Sequence, residues 1–172
     1  MNRLLQTLIL LLLAILAGVI TDSFHETTVA AGDSAPDFSI TADNGRTITP
    51  LNFGGKLLVL NFWATWCLPC VEEIPSLSGF QRRFARAGVV VVGISDDNDE
   101  ASYRAFLART LVSFRTAHDP EGKVKKKYGT LRIPETYIID RQGKVLRKIV
   151  GSQNWMTDRV IRDVETLLMR GS

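Results

Sequence analysis

Two cysteines, Cys67 and Cys70, stand two residues apart in the stretch LLVLNFWATWCLPCVEEIP, and the chain has no others. Such a pair closes so small a ring that a bond between them removes little chain entropy, which makes it a poor structural staple. A zinc site would need further good ligands, and His25 and His118 are single and widely separated. No metal site is therefore expected. The remaining chemistry is redox exchange: one thiol attacks a foreign disulfide, and the second lies close enough to displace the product.

That chemistry needs particular elements around it. Lys56 to Trp63 is a continuous apolar run of strand length, suited to a strand covered on both faces. Val71, Ile74, Leu77, Phe80 and Phe84 then recur at helical spacing, predicting a helix from Leu68 to Arg86 with a kink at Pro75. Cys67 thus falls where the helix begins, and the N–H groups and dipole there favour a thiolate. Cys70, about one turn in, is within bonding reach but more sheltered. Cys67 reads as the nucleophile and Cys70 as the resolving thiol. Pro69 suits an early helical position, which has no N–H partner to lose.

The rest of the chain supplies strands alternating with helices. FSITADNGRTITP alternates on either side of Asp43-Asn44-Gly45, a hairpin signal. VVVVGIS is a second buried strand, and Asp99 caps a helix that turns Tyr103, Phe106 and Leu107 inward. A short strand at Ser113 to Ala117, a turn at Asp119 to Gly122 and a short basic helix to Tyr128 follow. ETYIID and KVLRKIV form a closing hairpin, and Val160, Ile161, Val164, Leu167 and Leu168 stripe a terminal helix. This order predicts an α/β fold with a central mixed sheet flanked by helices.

The chain has 172 residues, 21 basic and 18 acidic, for a net charge of +3. So small an excess gives no reason to expect nucleic acid, and the run Lys123 to Lys127 reads as a solvated helix face. Arg3 precedes an uncharged run, Leu4 to Ile20. Seventeen helical residues reach roughly 25 Å, slightly short of a bilayer core unless flanking groups snorkel. Residues 1–20 are either a signal anchor or a cleaved signal peptide. The anchor is favoured, because Val19-Ile20-Thr21-Asp22 offers no small-residue cleavage site. Arg3 before the span and acidic residues after it place the folded part outside. Residues 21–33 read as a flexible tether, and 34–172 as the globular domain.

FWATWCLPC together with RIPETYIIDRQGKV resembles the thioredoxin superfamily, and most of all its membrane-tethered TlpA/ResA/CcmG-like (DsbE-like) thiol-disulfide oxidoreductases. The resemblance covers roughly Gly32 to Gly171. It implies a thioredoxin-like fold with an added amino-terminal hairpin and a βα insert around Asp96 to Leu111. It further implies that Cys67 and Cys70 form the redox disulfide and that Trp66 flanks it. Pro134 would be a cis-proline facing the pair, and the backbone of Ile133 would pair with substrate. No cofactor is implied. The expected partners are protein disulfides and a membrane protein that passes electrons from the cytoplasm, with the domain itself a monomer.

Two departures from thioredoxin matter. Its buried aspartate, six residues before the first cysteine, is Asn61 here, which cannot relay a proton. Glu73 matches an acid of the ResA-like branch and is a candidate proton partner for Cys70, the alternative being a plain surface residue like Glu72. Pro134 to Tyr137 resembles the Pro-Glu-Thr-aromatic segment of the cytochrome c maturation branch. Glu135 is then expected at the lip of the substrate groove, where an exposed acidic group would add about 1 kcal/mol or less toward a cationic haem-attachment peptide. Apocytochrome c is the substrate this suggests. A thiol peroxidase is the rival within the fold, but its Pro-x-x-x-Thr-x-x-Cys pattern would need Pro and Thr where Leu60 and Ala64 stand. A non-catalytic module binding through the groove beside Pro134 is the other rival, and the retained cysteine pair speaks against it. The motif leaves the direction of electron flow open.

Overall fold

In the computed structural model, residues 3–23 and 28–170 are described. A helix, α1 (Arg3–Ser23), leads the chain. The side chains of Leu4, Ile15 and residues 17–23 lie outside the described set, as does His25. Among the described residues no helix is long and apolar enough to cross a membrane.

The central sheet has five strands in the order β5 (Arg115–His118), β4 (Val89–Ser95), β3 (Leu57–Trp63), β6 (Glu135–Asp140), β7 (Val145–Val150). The first three run parallel, while β6 and β7 are antiparallel to their neighbours, so the sheet is mixed. Every residue of β3 and of β4 is buried, as continuous apolar runs require when both faces are covered. The period of two then sorts their side chains between two cores. Leu57, Val59 and Trp63 of β3 join one cluster with Ile74, Leu77 and Phe80 of α2 (Leu68–Phe84) and Val164 and Leu167 of α5 (Asp158–Arg170). Leu58, Leu60 and Phe62 face the other, with Tyr128, Tyr137 and Val145.

The expected helix from Leu68 to Arg86 ends as α at Phe84, tightens into a 3-10 turn over Ala85–Ala87, and stops at Gly88 with φ +95°. Asp99 caps α3 (Glu100–Arg109), accepting from the N–H groups of Ala101 and Ser102. The amino-terminal hairpin pairs β1 (Ile40–Thr41) with β2 (Thr47–Ile48) around a Gly45 of positive φ. Packing starts five residues before the expected Ser34. Val29 is buried and its N–H donates to the Tyr128 carbonyl, and the Gly32 N–H donates to that of Val145. The lysines of α4 (Lys123–Lys127) have local partners: Lys125 pairs with Asp96, Lys123 with Glu121, and Lys127 Nζ donates to the Asp37 carbonyl at 2.8 Å.

Candidate active site

The end of β3 and the start of α2 carry the cysteines. Cys67 is the N-cap residue of α2, in extended conformation, and its Sγ accepts from the Cys70 N–H at 3.3 Å. Pro69 fills an opening position of the helix, where no N–H bond is lost. The two sulfurs are joined in a disulfide. Cys70 is fully enclosed, whereas Cys67 keeps a small exposed edge of 7 %. Of the two cysteines, the one at the helix N-terminus is therefore the more accessible.

The peptide bond between Ile133 and Pro134 is cis. The Ile133 carbonyl oxygen lies 3.7 Å from Cys67 Sγ. Pro134 is buried and Ile133 half-buried, packed against both cores. Trp66 and Leu68, which flank Cys67 in sequence, and Leu131, two residues before Ile133, are largely exposed apolar side chains.

Glu73 lies three residues beyond Cys70 on α2 and is buried, unlike its exposed neighbour Glu72. Its Oε1 accepts from Asn61 Nδ2 at 2.8 Å and its Oε2 from the Gln153 N–H at 3.1 Å. Burial raises its pKa to about 6, against the lowering pull of the hydrogen bonds from Gln153 and Asn61. Glu73 is thus no surface residue. Asn61, which cannot itself carry a proton, holds the group that can, and its Nδ2 also donates to Thr136 Oγ1 at 2.9 Å.

Glu135 departs from its expected place. It is buried at 4 % exposure, not displayed at the lip of the groove. Thr130 Oγ1 donates to its Oε1 at 2.9 Å, the Tyr137 hydroxyl also donates to Oε1, and Lys148 Nζ pairs with it at 3.1 Å. Strand parity explains the difference: Glu135 and Tyr137 share one face of β6, whereas Thr136 points to the face that holds Asn61 and Glu73. A neutralised interior carboxylate cannot act as an exposed charge toward a substrate.

Sequence reasoning had no sight of Gln153 and Trp155, which enclose Glu73 from a loop eighty residues away. A polar cleft of roughly 390 Å³ opens beside Glu73, lined by Glu72, Ser76, Ser152, Gln153 and Asn154 among others. His118 is half-buried, stacked on Tyr103 at 4.9 Å, with Nε2 at 2.7 Å from the Asp97 carbonyl oxygen. No group of metal-binding side chains occurs among the described residues.

A model of the AhpC/TSA family matches residues 31–148. The thiol-disulfide oxidoreductase ResA of Bacillus cereus is 33% identical over 158 residues, covering 88% of this chain and 90% of that one. ResA of Bacillus subtilis is 30% identical over 144 residues, covering 84% and 79%. The chain belongs to the AhpC/TSA family. Within that thioredoxin-like family it is a thiol-disulfide oxidoreductase similar to ResA. Among solved structures, one assigned as the thiol:disulfide interchange protein DsbE of Chlorobium tepidum superposes with a TM-score of 0.74 at 30% identity, over 83% of this chain and 99% of that one. StoA of Bacillus subtilis shares the fold, with a TM-score of 0.63 at 20% identity over 80% and 98%. Leu60 and Ala64, which stand where a peroxidase would need Pro and Thr, are fully buried apolar residues.

Proposed function

We propose that this oxidoreductase acts as a reductant outside the cytoplasm, tethered to the membrane by residues 1–20, and that its substrate is the disulfide of an apocytochrome c. The Cys67 thiolate attacks one sulfur of the substrate disulfide, forming a mixed disulfide and expelling the other substrate sulfur as a thiolate. Glu73 accepts the Cys70 proton, and the Cys70 thiolate then attacks Cys67 Sγ. The second substrate thiol leaves, and the Cys67–Cys70 disulfide is restored. A dithiol donor in the membrane returns two electrons for each turnover.

The observation that carries this reading is the buried Glu73, poised near neutrality three residues beyond Cys70 on the same helix. A base of that strength serves a site that must deprotonate a sheltered thiol. The substrate assignment rests on the likeness of Pro134 to Tyr137 to the cytochrome c maturation branch; the buried state of Glu135 withdraws the charge argument for it. Deleting the gene in its host should lower holocytochrome c, and an added small-molecule thiol should restore it. Normal holocytochrome c in a deletion strain without a redundant reductase would reduce the assignment to a general extracytoplasmic reductase.

A further inference from the structure

The loop that delivers Cys67, Ala64 to Trp66, belongs to neither β3 nor α2, yet one of its N–H groups is held as firmly as in a regular element. The Thr65 N–H lies 3.1 Å from both carboxylate oxygens of Asp97. Thr65 Oγ1 donates to Oδ1 at 2.6 Å, and Ser95 Oγ donates to Oδ2 at 2.6 Å. Asp97 is 2 % exposed and Ser95 is fully enclosed. The carboxylate is thus satisfied by neutral donors alone. Burying a charge without a cation is costly, and an uncharged side chain could tie the same loop more cheaply.

Its placement gives the charge a use. Asp97 follows the C-terminal end of β4, beside the end of β3 that feeds the cysteines, and the Asp96 N–H still donates to the Trp63 carbonyl at 2.8 Å. Thr65 precedes Cys67 by two residues, a reach of at most about 7 Å. A fixed negative charge here opposes the helix N-terminus, which favours the Cys67 thiolate. Destabilising the thiolate makes the dithiol a stronger donor and favours the disulfide.

We propose that Asp97, acting through Thr65, is a positioning residue that aims Cys67 at its substrate and holds the Cys67/Cys70 couple on the reducing side. It touches neither sulfur nor substrate.

Two substitutions separate this role from a merely structural one, because they move the chemistry in opposite directions. Asp97→Asn keeps the shape and removes the charge. Thr65→Val keeps the charge and the backbone bond but removes a donor that compensates it. The pH midpoint of Cys67 alkylation by iodoacetamide is read in the full chain carrying Cys70→Ser, so that one thiol reports. The thiol–disulfide equilibrium with glutathione is read with both cysteines present. Asp97→Asn should lower the midpoint and shift the equilibrium about tenfold toward the dithiol, corresponding to about 30 mV. Thr65→Val should raise the midpoint, and Thr65→Ser should restore it. Loss of thermal stability in both variants, with midpoint and equilibrium unchanged or moved the same way, would overturn the proposal. If Asp97→Asn does not fold, the Thr65→Val and Thr65→Ser pair decides alone: equal midpoints reject it.

Discussion

Cys67 and Cys70 differ in two respects that reinforce each other: access and the field of α2. Cys67 retains an exposed edge and caps the helix, where N–H groups converge, while Cys70 is enclosed. In the reduced protein at neutral pH, Cys67 should alkylate well before Cys70. Cys70→Ser should accumulate mixed disulfides with substrate proteins, visible on non-reducing gels, and trapping by Cys67→Ser instead would reverse the roles. Glu73 adds a second titration, whose sign follows from its raised pKa. The folded state holds the Glu73 proton up to about pH 6, whereas the unfolded chain releases it near the ordinary carboxylate value of 4.5. Stability from this group is therefore present below about 4.5 and falls as pH rises through 6, by about 2 kcal/mol in all. Glu73→Gln should abolish that slope in denaturant titrations between pH 4 and 7. The same variant should slow disulfide exchange and flatten its pH dependence near 6, since no carboxylate remains to take the Cys70 proton. An exchange profile identical to the wild type would remove Glu73 from the reaction.

The hairpin of β6 and β7 shows how a polar group is buried at strand scale. Tyr137 and Lys148 are register partners, which carries Lys148 Nζ over the Tyr137 ring at 5.3 Å and on to Glu135 at 3.1 Å. Removing the cation strands a carboxylate in the interior, so Lys148→Met should destabilise the fold by about 3 kcal/mol, measured by chemical denaturation. The double variant Lys148→Met/Glu135→Gln should recover part of that loss. Period and composition made β3, β4, α2 and the closing hairpin legible, because continuous apolar runs and a 3.6-residue stripe leave few alternatives. The cysteine pair was legible for the same reason, since its meaning depends only on the strand before it and the helix after it. Glu135 was not. Its role turns on which face of β6 it occupies and on a lysine in the next strand, and neither is visible in a local pattern. Asp97 and Gln153 escaped likewise: Gln153 acts through a backbone N–H that any residue type supplies, and Asp97 acts on Thr65 in a loop remote in sequence. The one available hint for Asp97 was its place just beyond the C-terminal end of a central strand, where α/β sheets gather their functional side chains.

At the scale of the whole molecule, the Cys67/Cys70 pair can pass electrons either way, and the direction follows from its potential together with the partner kept nearby. The leading segment bears on that partner. Leu4 to Ile20 carries no charge, Arg3 precedes it, and Asp22 and Glu26 follow it. That arrangement suits a span with its amino terminus inside. The folded part begins sooner after this segment than a free tether would allow, because Val29 is already bonded to Tyr128. From the last residue of α1, Ser23, to Val29 the chain can bridge no more than about 20 Å. If residues 1–20 stay in the bilayer, the domain can neither diffuse away nor reach far from it, and a membrane donor meets the Cys67–Cys70 disulfide at high effective concentration. The mature protein should therefore retain its first twenty residues, sediment with membranes, resist extraction by high salt and be released by detergent. Replacing residues 1–20 with a cleavable signal should leave disulfide exchange of the purified domain unchanged while lowering the fraction found reduced in the cell, read by thiol trapping. A soluble exported form beginning near Ala31 in the unaltered strain would overturn the anchor and, with it, the argument that tethering helps to set the direction of electron flow.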